Sequence, residues 1–433
     1  MGKDHYLYLS QGKKQYFSLP AEWVPLHFIE SEEGISIPSI QKMALEALSK
    51  PTGTLPFQDL VLRAHKIAII VDDLTRPTPA AEILEVLLSR LADNDFSREN
   101  ITLVIALGTH EAMKKEDLEA KVGKAVASSY KIVQHNAWQN NLVPIKIPGN
   151  GRMVKINPDV AMADLKVGIS SILPHPMAGY GGGPKIVMPG VSDFEYIRDH
   201  HMKYLIHPQS VAGVTKGNYF HEGCMKAARA IGLDFSINCV YDQKGQVIRI
   251  IGGSLEKAFS EAVEVCFDKL GHRFEEQVDV TITSTFPHTH GHQFFKGLSA
   301  PDAVTKDTGA ILLVAPLVSP VPAEFLNSFQ VIKEKSHNHS TAYVKETLSK
   351  GMAFLPEKSI DFNMAMSTVF LRPAIRTILV SAVISRNEAR TMGLEYASSI
   401  EEGLRLLEKS YPRAKVAIFP SGGLIVPITA WKR

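Results

Sequence analysis

The chain has 433 residues, of which 45% are apolar and 21% are charged, as in globular proteins of two or three domains. The formal net charge is only +2, so we expect neither nucleic acid nor a membrane surface as a partner. Three scattered cysteines argue against a disulfide framework, and no apolar run is long enough to cross a membrane. The amino terminus lacks the apolar core of a signal peptide, so a cytoplasmic location is predicted.

The first part of the chain repeats an order of buried strand, polar loop and helix. A hairpin is predicted over residues 5–17, and a helix-rich segment over 38–64. Residues 80–92 carry apolar side chains three and four apart, which is typical of an amphipathic helix. Continuous apolar runs predict strands buried on both faces of a parallel sheet at 66–71, 100–107 and 163–172.

The second part of the chain changes character and then returns to the same order. A hairpin is predicted over 235–253 and an amphipathic helix over 254–270. Further strands are predicted at 278–286, 309–317, 377–384 and 415–423. The sequence therefore predicts an α/β fold of two domains, residues 1–275 and 276–433, with mainly parallel sheets and an active site in the cleft between them.

Polar loops follow the three buried strands of the first part. Asp73 and Arg76 follow the first strand, His110 the second, and His175 the third. Because the carboxyl ends of parallel strands share one edge of a sheet, we expect these side chains to converge there. Asp73 and Arg76 could hold each other while the guanidinium binds a carboxylate or phosphate; the alternative is a helix cap.

Residues 171–201 combine glycine, histidine and lysine within one short stretch. The loop GYGGGPK at 179–185 is not a Walker A loop, because Pro184 precedes Lys185 and Ile186 stands where serine or threonine is required. It does not match GxGxxG either. Its backbone amides could bind an anion or lie against a planar ring, and a plain glycine turn is the alternative.

Histidines supply candidates for proton transfer and for metal binding. His110 and His175 could act as an acid–base pair that serves opposite faces of a carbon, or could be independent capping or core histidines. His200 and His201 are adjacent, so on a helix their side chains point about 100° apart and should not share a metal. Spacing alone does not select nickel over zinc, or a metal over none.

The loop after the strand at 278–286 is a second polar segment. His288, His290 and His292 alternate, but the neighbouring proline and glycine favour a loop, so a three-histidine zinc site is not expected. Gln293 and Lys296 share one helical face and could orient a carboxylate and a hydroxyl. The alternative is the solvated start of a helix.

Four segments together resemble the lactate racemase family, the nickel-pincer-nucleotide-dependent racemases and epimerases of 2-hydroxy acids. The histidine at 201, sixteen residues beyond Lys185, belongs to the same pattern. The resemblance runs through nearly the whole chain in order. The segments are DDLTRPTP at 72–79, GTHEAM at 108–113, LPHPMAGYGGGPKIVMPGVS at 173–192 and HQFFK at 292–296.

The resemblance implies a cofactor, nickel pyridinium-3,5-bisthiocarboxylic acid mononucleotide, and cofactor-biosynthesis proteins as upstream partners. It implies that His201 ligates the nickel, and that Lys185 binds the cofactor covalently in some members. His110 and His175 match the catalytic acid–base pair. Hydride would pass from the substrate α-carbon to the cofactor ring and return to the other face of a 2-keto acid.

The resemblance also implies which residues bind cofactor and substrate. The expected cofactor-binding residues are Asp73, Thr75, Arg76, Gly181, Gly182, Gly183 and Lys185. The expected substrate-binding residues are Arg76, His292, Gln293 and Lys296.

The chain departs from the lactate enzyme at the substrate side. His292 stands where a tyrosine is expected, and around 361–363 the expected tryptophan is absent, with Phe362 and Asn363 present instead. A site that hydrogen-bonds hydroxyls rejects substrates that lack them. We therefore predict a longer or more polar 2-hydroxy acid, such as a sugar acid or a malate-like acid, rather than lactate.

Two other functions compete with the racemase. The same residues could store or carry the nickel cofactor without catalysis. A nicotinamide dehydrogenase would share the parallel sheet and hydride chemistry, but the chain lacks GxGxxG after its first buried strand.

Overall fold

The computed structural model describes residues 5–30, 36–149 and 151–431. Contacts divide the chain into two compact units. The amino-terminal unit comprises residues 34–241 and 246–268, and the carboxy-terminal unit comprises 1–33, 242–245 and 269–433. The domain boundaries predicted from the sequence stay a prediction; the division by contacts differs from them mainly in where residues 1–33 belong.

The described residues form short and long strands distributed over both units. In chain order they are β1 (His5–Tyr8), β2 (Lys14–Phe17), β3 (Trp23–Phe28), β4 (Ile67–Asp72), β5 (Ile101–Ala106), β6 (Lys131–Gln134), β7 (Val143–Lys146), β8 (Met153–Ile156), β9 (Leu165–Ile172), β10 (Pro174–His175), β11 (Gly179–Tyr180), β12 (Phe235–Tyr241), β13 (Val247–Gly253), β14 (Gly271–Phe274), β15 (Val278–Ser284), β16 (Thr305–Val314), β17 (Arg376–Val380), β18 (Glu395–Ala397), β19 (Ala414–Phe419) and β20 (Val426–Thr429).

Helices connect most of these strands. The α-helices are α1 (Ile40–Ser49), α2 (Phe57–Val61), α3 (Ala80–Ala92), α4 (Lys115–Val122), α5 (Lys124–Ser129), α6 (Pro158–Ala161), α7 (Phe194–Tyr204), α8 (Tyr219–Ile231), α9 (Leu255–Leu270), α10 (Ser299–Val304), α11 (Ala323–Lys335), α12 (Ser340–Ser349), α13 (Ile360–Leu371), α14 (Arg386–Thr391) and α15 (Ile400–Ser410). The 3-10 helices are Ser10–Gly12, Arg98–Asn100, Gly183–Ile186, Gly291–Leu298 and Gly422–Leu424.

Each unit is built on one large sheet. In the amino-terminal unit the order is β13-β12-β9-β4-β5-β6, parallel except for the β12–β13 hairpin. In the carboxy-terminal unit the order is β18-β17-β16-β15-β19-β3, and every neighbouring pair is parallel. The predicted α/β class with mainly parallel sheets is confirmed.

Burial on both faces explains why the central strands read as apolar runs. All six residues of β4 are buried, and isoleucine and valine favour the extended backbone there. The following helix α3 buries a stripe against the sheet, as its three- and four-residue spacing predicts. That stripe consists of Ala80, Ile83, Leu84, Leu87, Leu88 and Leu91.

The predicted amino-terminal hairpin forms, but it belongs to the carboxy-terminal unit. β1 and β2 pair antiparallel, with His5 opposite Phe17. β3 adds a parallel edge strand to β19, and Leu7, Phe17 and Trp23 are part of the core of that unit. Nothing in the short alternating pattern of residues 5–28 signals a partner almost 400 residues later.

Two further findings concern the chain as a whole. Cys224, Cys239 and Cys266 are all buried free thiols. Among the residues that the structure describes, no helix has the length and apolarity needed to span a membrane.

Candidate functional site

The candidate residues of the amino-terminal unit lie in loops at one edge of its sheet. β4 lies between β9 and β5, so the loops that begin at Asp73, Leu107 and Leu173 are neighbours. A direct bond links two of them, because Nδ1 of His110 lies 2.5 Å from Oδ2 of Asp73. The predicted convergence of these two loops is therefore observed.

His110 is held by Asp73 in one tautomer. Burial alone would raise the pKa of the Asp73 carboxyl, but His110, Arg76 and the Thr75 hydroxyl together hold that pKa below its usual range. A carboxylate can only accept a hydrogen bond, so Nδ1 of His110 carries the proton. In the neutral ring, Nε2 then has a lone pair and can act as a base.

The Asp73 loop is not the helix cap that was the alternative from the sequence. Asp73 accepts from the Thr75 amide at 2.9 Å and also from the Thr75 hydroxyl, whereas α3 begins only at Ala80. The Arg76 guanidinium donates to the Thr75 hydroxyl at 2.7 Å. Asp73 and Arg76 thus meet through Thr75, and the charge of Arg76 still stabilises the carboxylate.

A buried lysine, Lys121, holds this loop through an ion pair and two hydrogen bonds, and the sequence did not indicate it. The ammonium of Lys121 lies 2.7 Å from Oδ1 of Asp72 and donates to the carbonyl oxygens of Arg76, at 3.1 Å, and Thr78, at 3.3 Å. Only 3% of Lys121 is exposed. A lysine on a polar helix face gives no sequence signal for burial, so only the structure identifies this support.

His175 is held in the opposite tautomer. It lies in β10, paired with Gly179 of β11 across a tight turn. Its Nδ1 accepts from the backbone N–H groups of Met177, at 3.2 Å, and Ala178, at 3.1 Å. Because Nδ1 is an acceptor, the proton of the neutral ring must lie on Nε2, which makes His175 a donor at that atom.

Phe220 is a second residue that sequence reasoning missed. Its fully buried ring lies 4.7 Å from both the His200 and His201 rings and 6.3 Å from His175, centroid to centroid. The Lys185 ammonium lies 5.0 Å from the same ring centroid. The predicted lysine and three of the histidines of residues 171–201 therefore lie around one aromatic ring, that of Phe220.

The helix α8 that carries Phe220 has boundary signals that the sequence analysis did not use. The Asn218 side chain accepts from the His221 amide at 3.1 Å, and Gly232 ends the helix in the left-handed conformation. An asparagine cap followed fourteen residues later by glycine could have predicted the helix, although not the role of Phe220.

His200 and His201 donate to different backbone carbonyls through different ring nitrogens. His201 donates from Nδ1 to the Ile197 carbonyl at 2.8 Å, so Nε2 carries the lone pair of the neutral ring. His200 donates from Nε2 to the Phe220 carbonyl at 3.0 Å. Burial, reinforced by the Lys185 charge, lowers the pKa of His200 to about 3, so it stays neutral.

Close packing requires glycine at two positions of the loop at 179–185. A Cβ on Gly182 would lie 2.5 Å from the Ser171 carbonyl oxygen, and one on Gly183 would lie 2.2 Å from the Phe259 ring. Both have positive φ, +70° and +49°. Gly181 meets nothing closer than 3.7 Å. Packing therefore explains Gly182 and Gly183, and their contact with a cofactor remains a prediction.

The candidate residues of the carboxy-terminal unit form a separate group. His292, Gln293 and Lys296 lie in the 3-10 helix Gly291–Leu298, where residues three apart share a face. His292 bonds through Nε2 to Oδ2 of Asp361, and the Gln293 amide donates to the same oxygen at 2.7 Å. Asp361 is thus a further partner that the sequence analysis did not name.

The residues at the expected tryptophan position have distinct roles. Phe362 lies edge-on to the His292 ring at 5.0 Å, and Phe325 stacks on that ring at 4.9 Å. Asn363 is fully buried and bonds to the backbone of Leu355 and Ser359, so it supports the start of α13. Phe362 thus contacts His292, a predicted substrate-binding residue, whereas the Asn363 bonds described here are to backbone.

In residues 5–30, 36–149 and 151–431, no three His, Cys, Asp or Glu side chains are grouped to hold a metal ion, His288, His290 and His292 included. His201 fits a single ligand to a metal that brings its other ligands, because a carbonyl fixes its Nδ1 and leaves Nε2 as the electron-pair donor. Lys185, beside the same aromatic ring, fits a group that binds an anion or the cofactor.

An α/β unit with opposed histidine tautomers at its strand ends suits an enzyme that moves protons at a hydroxyl group. Residues 11–213 match the family profile described as the lactate racemase N-terminal domain. A lactate racemase of Thermoanaerobacterium thermosaccharolyticum is 29% identical over 283 residues, 64% of this chain and 66% of that protein. A lactate racemase of Lactiplantibacillus plantarum is 28% identical over 410 residues, 90% of this chain and 91% of that protein.

Solved structures agree in fold. The lactate racemase apoprotein from T. thermosaccharolyticum superposes with a TM-score of 0.85 over 98% of this chain and 100% of that chain, at 24% identity. A Thermotoga maritima protein superposes with a TM-score of 0.67 over 91% of this chain and 99% of that chain, at 18% identity. The family profile and the relatives support the lactate racemase family, as the sequence motifs indicate, and they support a racemase, a class of isomerase.

Proposed function

We propose that this protein is a racemase or epimerase that inverts the α-carbon of a 2-hydroxy acid with a nickel-pincer nucleotide as cofactor. The observation that carries the proposal is the pair of opposite tautomers: Nε2 of His110 is a proton acceptor and Nε2 of His175 a proton donor. Inversion at a carbinol carbon needs one group of each kind.

His110 has the role of general base for one enantiomer. Its Nε2 takes the hydroxyl proton, and the Asp73 carboxylate stabilises the imidazolium that results. Because several donors and charges lower the pKa of Asp73, the carboxylate does not take the proton itself. His175 has the role of proton donor for the hydroxyl that forms.

The residues that would hold the cofactor are those that the family resemblance implies. His201 would ligate nickel through Nε2, and Lys185 would bind the nucleotide, with Asp73, Thr75, Arg76, Gly181, Gly182 and Gly183. When bound, the cofactor supplies a hydride acceptor, which no side chain provides. His201 fits this role, because its Nδ1 donates to a backbone carbonyl and the lone pair of the neutral ring is on Nε2.

Arg76, His292, Gln293 and Lys296 would bind the substrate. The guanidinium and ammonium groups suit the carboxylate that every 2-hydroxy acid carries. The His292 and Gln293 side chains make the remaining surface polar, which favours a longer or more polar acid than lactate.

The test is a holoprotein made together with the cofactor-making proteins. Intact mass and metal analysis should show added mass and nickel, and chiral assays should show inversion of lactate, malate or gluconate. Absence of nickel, of added mass and of a change in the ultraviolet–visible spectrum would contradict the proposal. Nickel retained with turnover that is indifferent to both His110 and His175 would favour a carrier.

Substrate preference is tested in the same assay. A sugar acid or malate-like acid should have a higher kcat/KM than lactate, and lactate as the best substrate would contradict that part of the proposal. His65→Ala, at an exposed histidine of the amino-terminal unit, is the matched control for the histidine variants.

A further inference from the structure

The polar cluster of the carboxy-terminal unit contains two buried acceptor atoms with no partner among the described residues. They are Nδ1 of His292 and Oε1 of Gln293. Their residues are only 9% and 6% exposed. Buried polar atoms are normally hydrogen-bonded, so each such atom calls for an explanation.

Hydrogen bonding to Asp361 fixes which atoms of the cluster accept. Nε2 of His292 and Nε2 of Gln293 both face Oδ2 of Asp361, the latter at 2.7 Å. A carboxylate accepts only, so both nitrogens donate to it. Oε1 of Gln293 is therefore an acceptor, and in the neutral His292 ring Nδ1 is an acceptor too. Neither atom has a donor among the described residues.

The surroundings hold this arrangement in place. Phe325 stacks on the His292 ring at an interplanar angle of 19°, and Phe362 meets it edge-on at 82°. Asp361 lies in the first turn of α13, where the helix dipole favours a negative charge. The cluster thus presents acceptors and one carboxylate between aromatic walls.

Resting on the proposed function, we propose that Asp361, His292 and Gln293 select 2-hydroxy acids whose chain carries further hydroxyl groups, as in an aldonic acid. Hydroxyl groups donate to the two unpartnered acceptors. The methyl group of lactate has no donor to offer. The second carboxylate of malate would face the Asp361 carboxylate, and like charges at short range repel. Asp361 is thereby a specificity-determining residue.

The experiment compares gluconate, malate and lactate as substrates of the nickel-loaded protein. We expect kcat/KM for gluconate to exceed the other two by about tenfold or more, since an acceptor site discriminates strongly against analogues without the donor. A higher kcat/KM for malate or lactate overturns the proposal.

Two variants separate the contributions. Asp361→Asn removes the negative charge at nearly constant shape and should raise the malate-to-gluconate ratio of kcat/KM about tenfold. His292→Phe keeps the aromatic stack but removes an acceptor and should lower the gluconate-to-lactate ratio about tenfold. Asp307→Asn, at an exposed position of the same unit, should leave both ratios unchanged. Ratios that do not move in either cluster variant overturn the proposal.

Calorimetric titration with gluconate distinguishes this inference from the proposed function. Gluconate binding that is weakened about tenfold by His292→Phe, without turnover of any of the three acids, supports the selective site and overturns the racemase. Absence of gluconate binding together with turnover of lactate overturns only the selective site. Circular dichroism of each variant confirms that the comparison is made between folded proteins.

Discussion

The loops of His110 and His175 solve the same chemical problem in opposite ways. His110 is oriented by a side chain, the Asp73 carboxylate at 2.5 Å. His175 is oriented by backbone, the N–H groups of Met177 and Ala178 in a tight turn. Because the Asp73 carboxylate accepts from Nδ1 of His110, Nε2 of the neutral His110 ring is basic. Because two N–H groups donate to Nδ1 of His175, Nε2 of the neutral His175 ring is protonated.

The difference teaches that the two histidines are not interchangeable in the resting protein. A racemase inverts both enantiomers, and for enantiomers of equal energy kcat/KM must be the same in both directions. The starting tautomers therefore suit one direction, and the other direction must start from the exchanged proton arrangement. The following predictions test this asymmetry, beginning with the largest expected effect.

His110→Ala should remove the general base and lower kcat/KM on the order of 10³-fold, within the range usual for acid–base catalysis. Nickel content and cofactor mass should be retained, because His201 and Lys185 are unchanged. Racemase assays and metal analysis of the same preparation measure both, with His65→Ala as the control. Turnover close to that of the parent protein would exclude His110 as the base.

Asp73→Asn should lower kcat/KM about 10²-fold, because an amide can donate to Nδ1 and turn the His110 ring to the wrong tautomer. The exposed Asp59→Asn is the matched control. Nitrogen-15 chemical shifts of the His110 ring report the tautomer directly. An unchanged Nδ1–H signal in Asp73→Asn would show that the carboxylate does not set it.

At His175 the prediction concerns stability as well as activity. His175→Ala leaves the buried N–H groups of Met177 and Ala178 without an acceptor, at a cost of about 1–3 kcal/mol in the free energy of unfolding. His175→Asn places an amide oxygen near the former Nδ1 and should recover most of that loss while remaining inactive. Urea unfolding of both variants measures the difference. Equal destabilisation would mean that the turn does not depend on an acceptor at residue 175.

A buried histidine that follows β6 contributes to the pH dependence of folding. His135 follows β6, and burial lowers its pKa to about 4, although Nε2 donates to the Ser192 carbonyl at 2.9 Å. Below pH about 6.5 the unfolded chain binds a proton that the folded protein does not. The contribution of His135 to stability should therefore fall by about 1.4 kcal/mol per pH unit down to about pH 4, and should not change above pH 6.5.

Urea midpoints at pH 7, 6 and 5 test this contribution. His135→Gln should flatten the dependence by that slope, since the titrating group is gone. Parallel curves for parent and variant would assign the acid sensitivity to other groups. The same midpoints show at which pH the protein starts to lose stability, so a fall in kcat/KM of the His110 or His175 variants at low pH can be assigned to folding or to catalysis.

Much of the fold was predictable because buried parallel strands have a distinctive composition. β4, β5, β9 and β15 were predicted to within two residues at each end, and the loops after β4 and β5 converge as expected. Strand order and register were not predictable, since each depends on pairings between distant segments. The placement of β3 beside β19 is the plainest case.

The site was predictable in its residue types and not in its connections. The motifs name His110, His175, Lys185 and His201, but the tautomer of each ring depends on a partner that only the fold brings near. Phe220 and Lys121 carry no motif, because an aromatic residue and a lysine on helices are ordinary in a sequence. Asp361 was passed over for the same reason.

The pairing of β3 with β19 has a consequence for biosynthesis. Trp23 donates from its indole N–H to the Tyr411 carbonyl at 2.7 Å. A residue synthesised early therefore depends for its hydrogen bond on a residue synthesised near the end of the chain. During translation, residues 34–268 can complete their sheet while the strand at Trp23–Phe28 has no partner. A ribosome that stalls before Ala414 would leave that strand unpaired, with Trp23 and its neighbours open to aggregation.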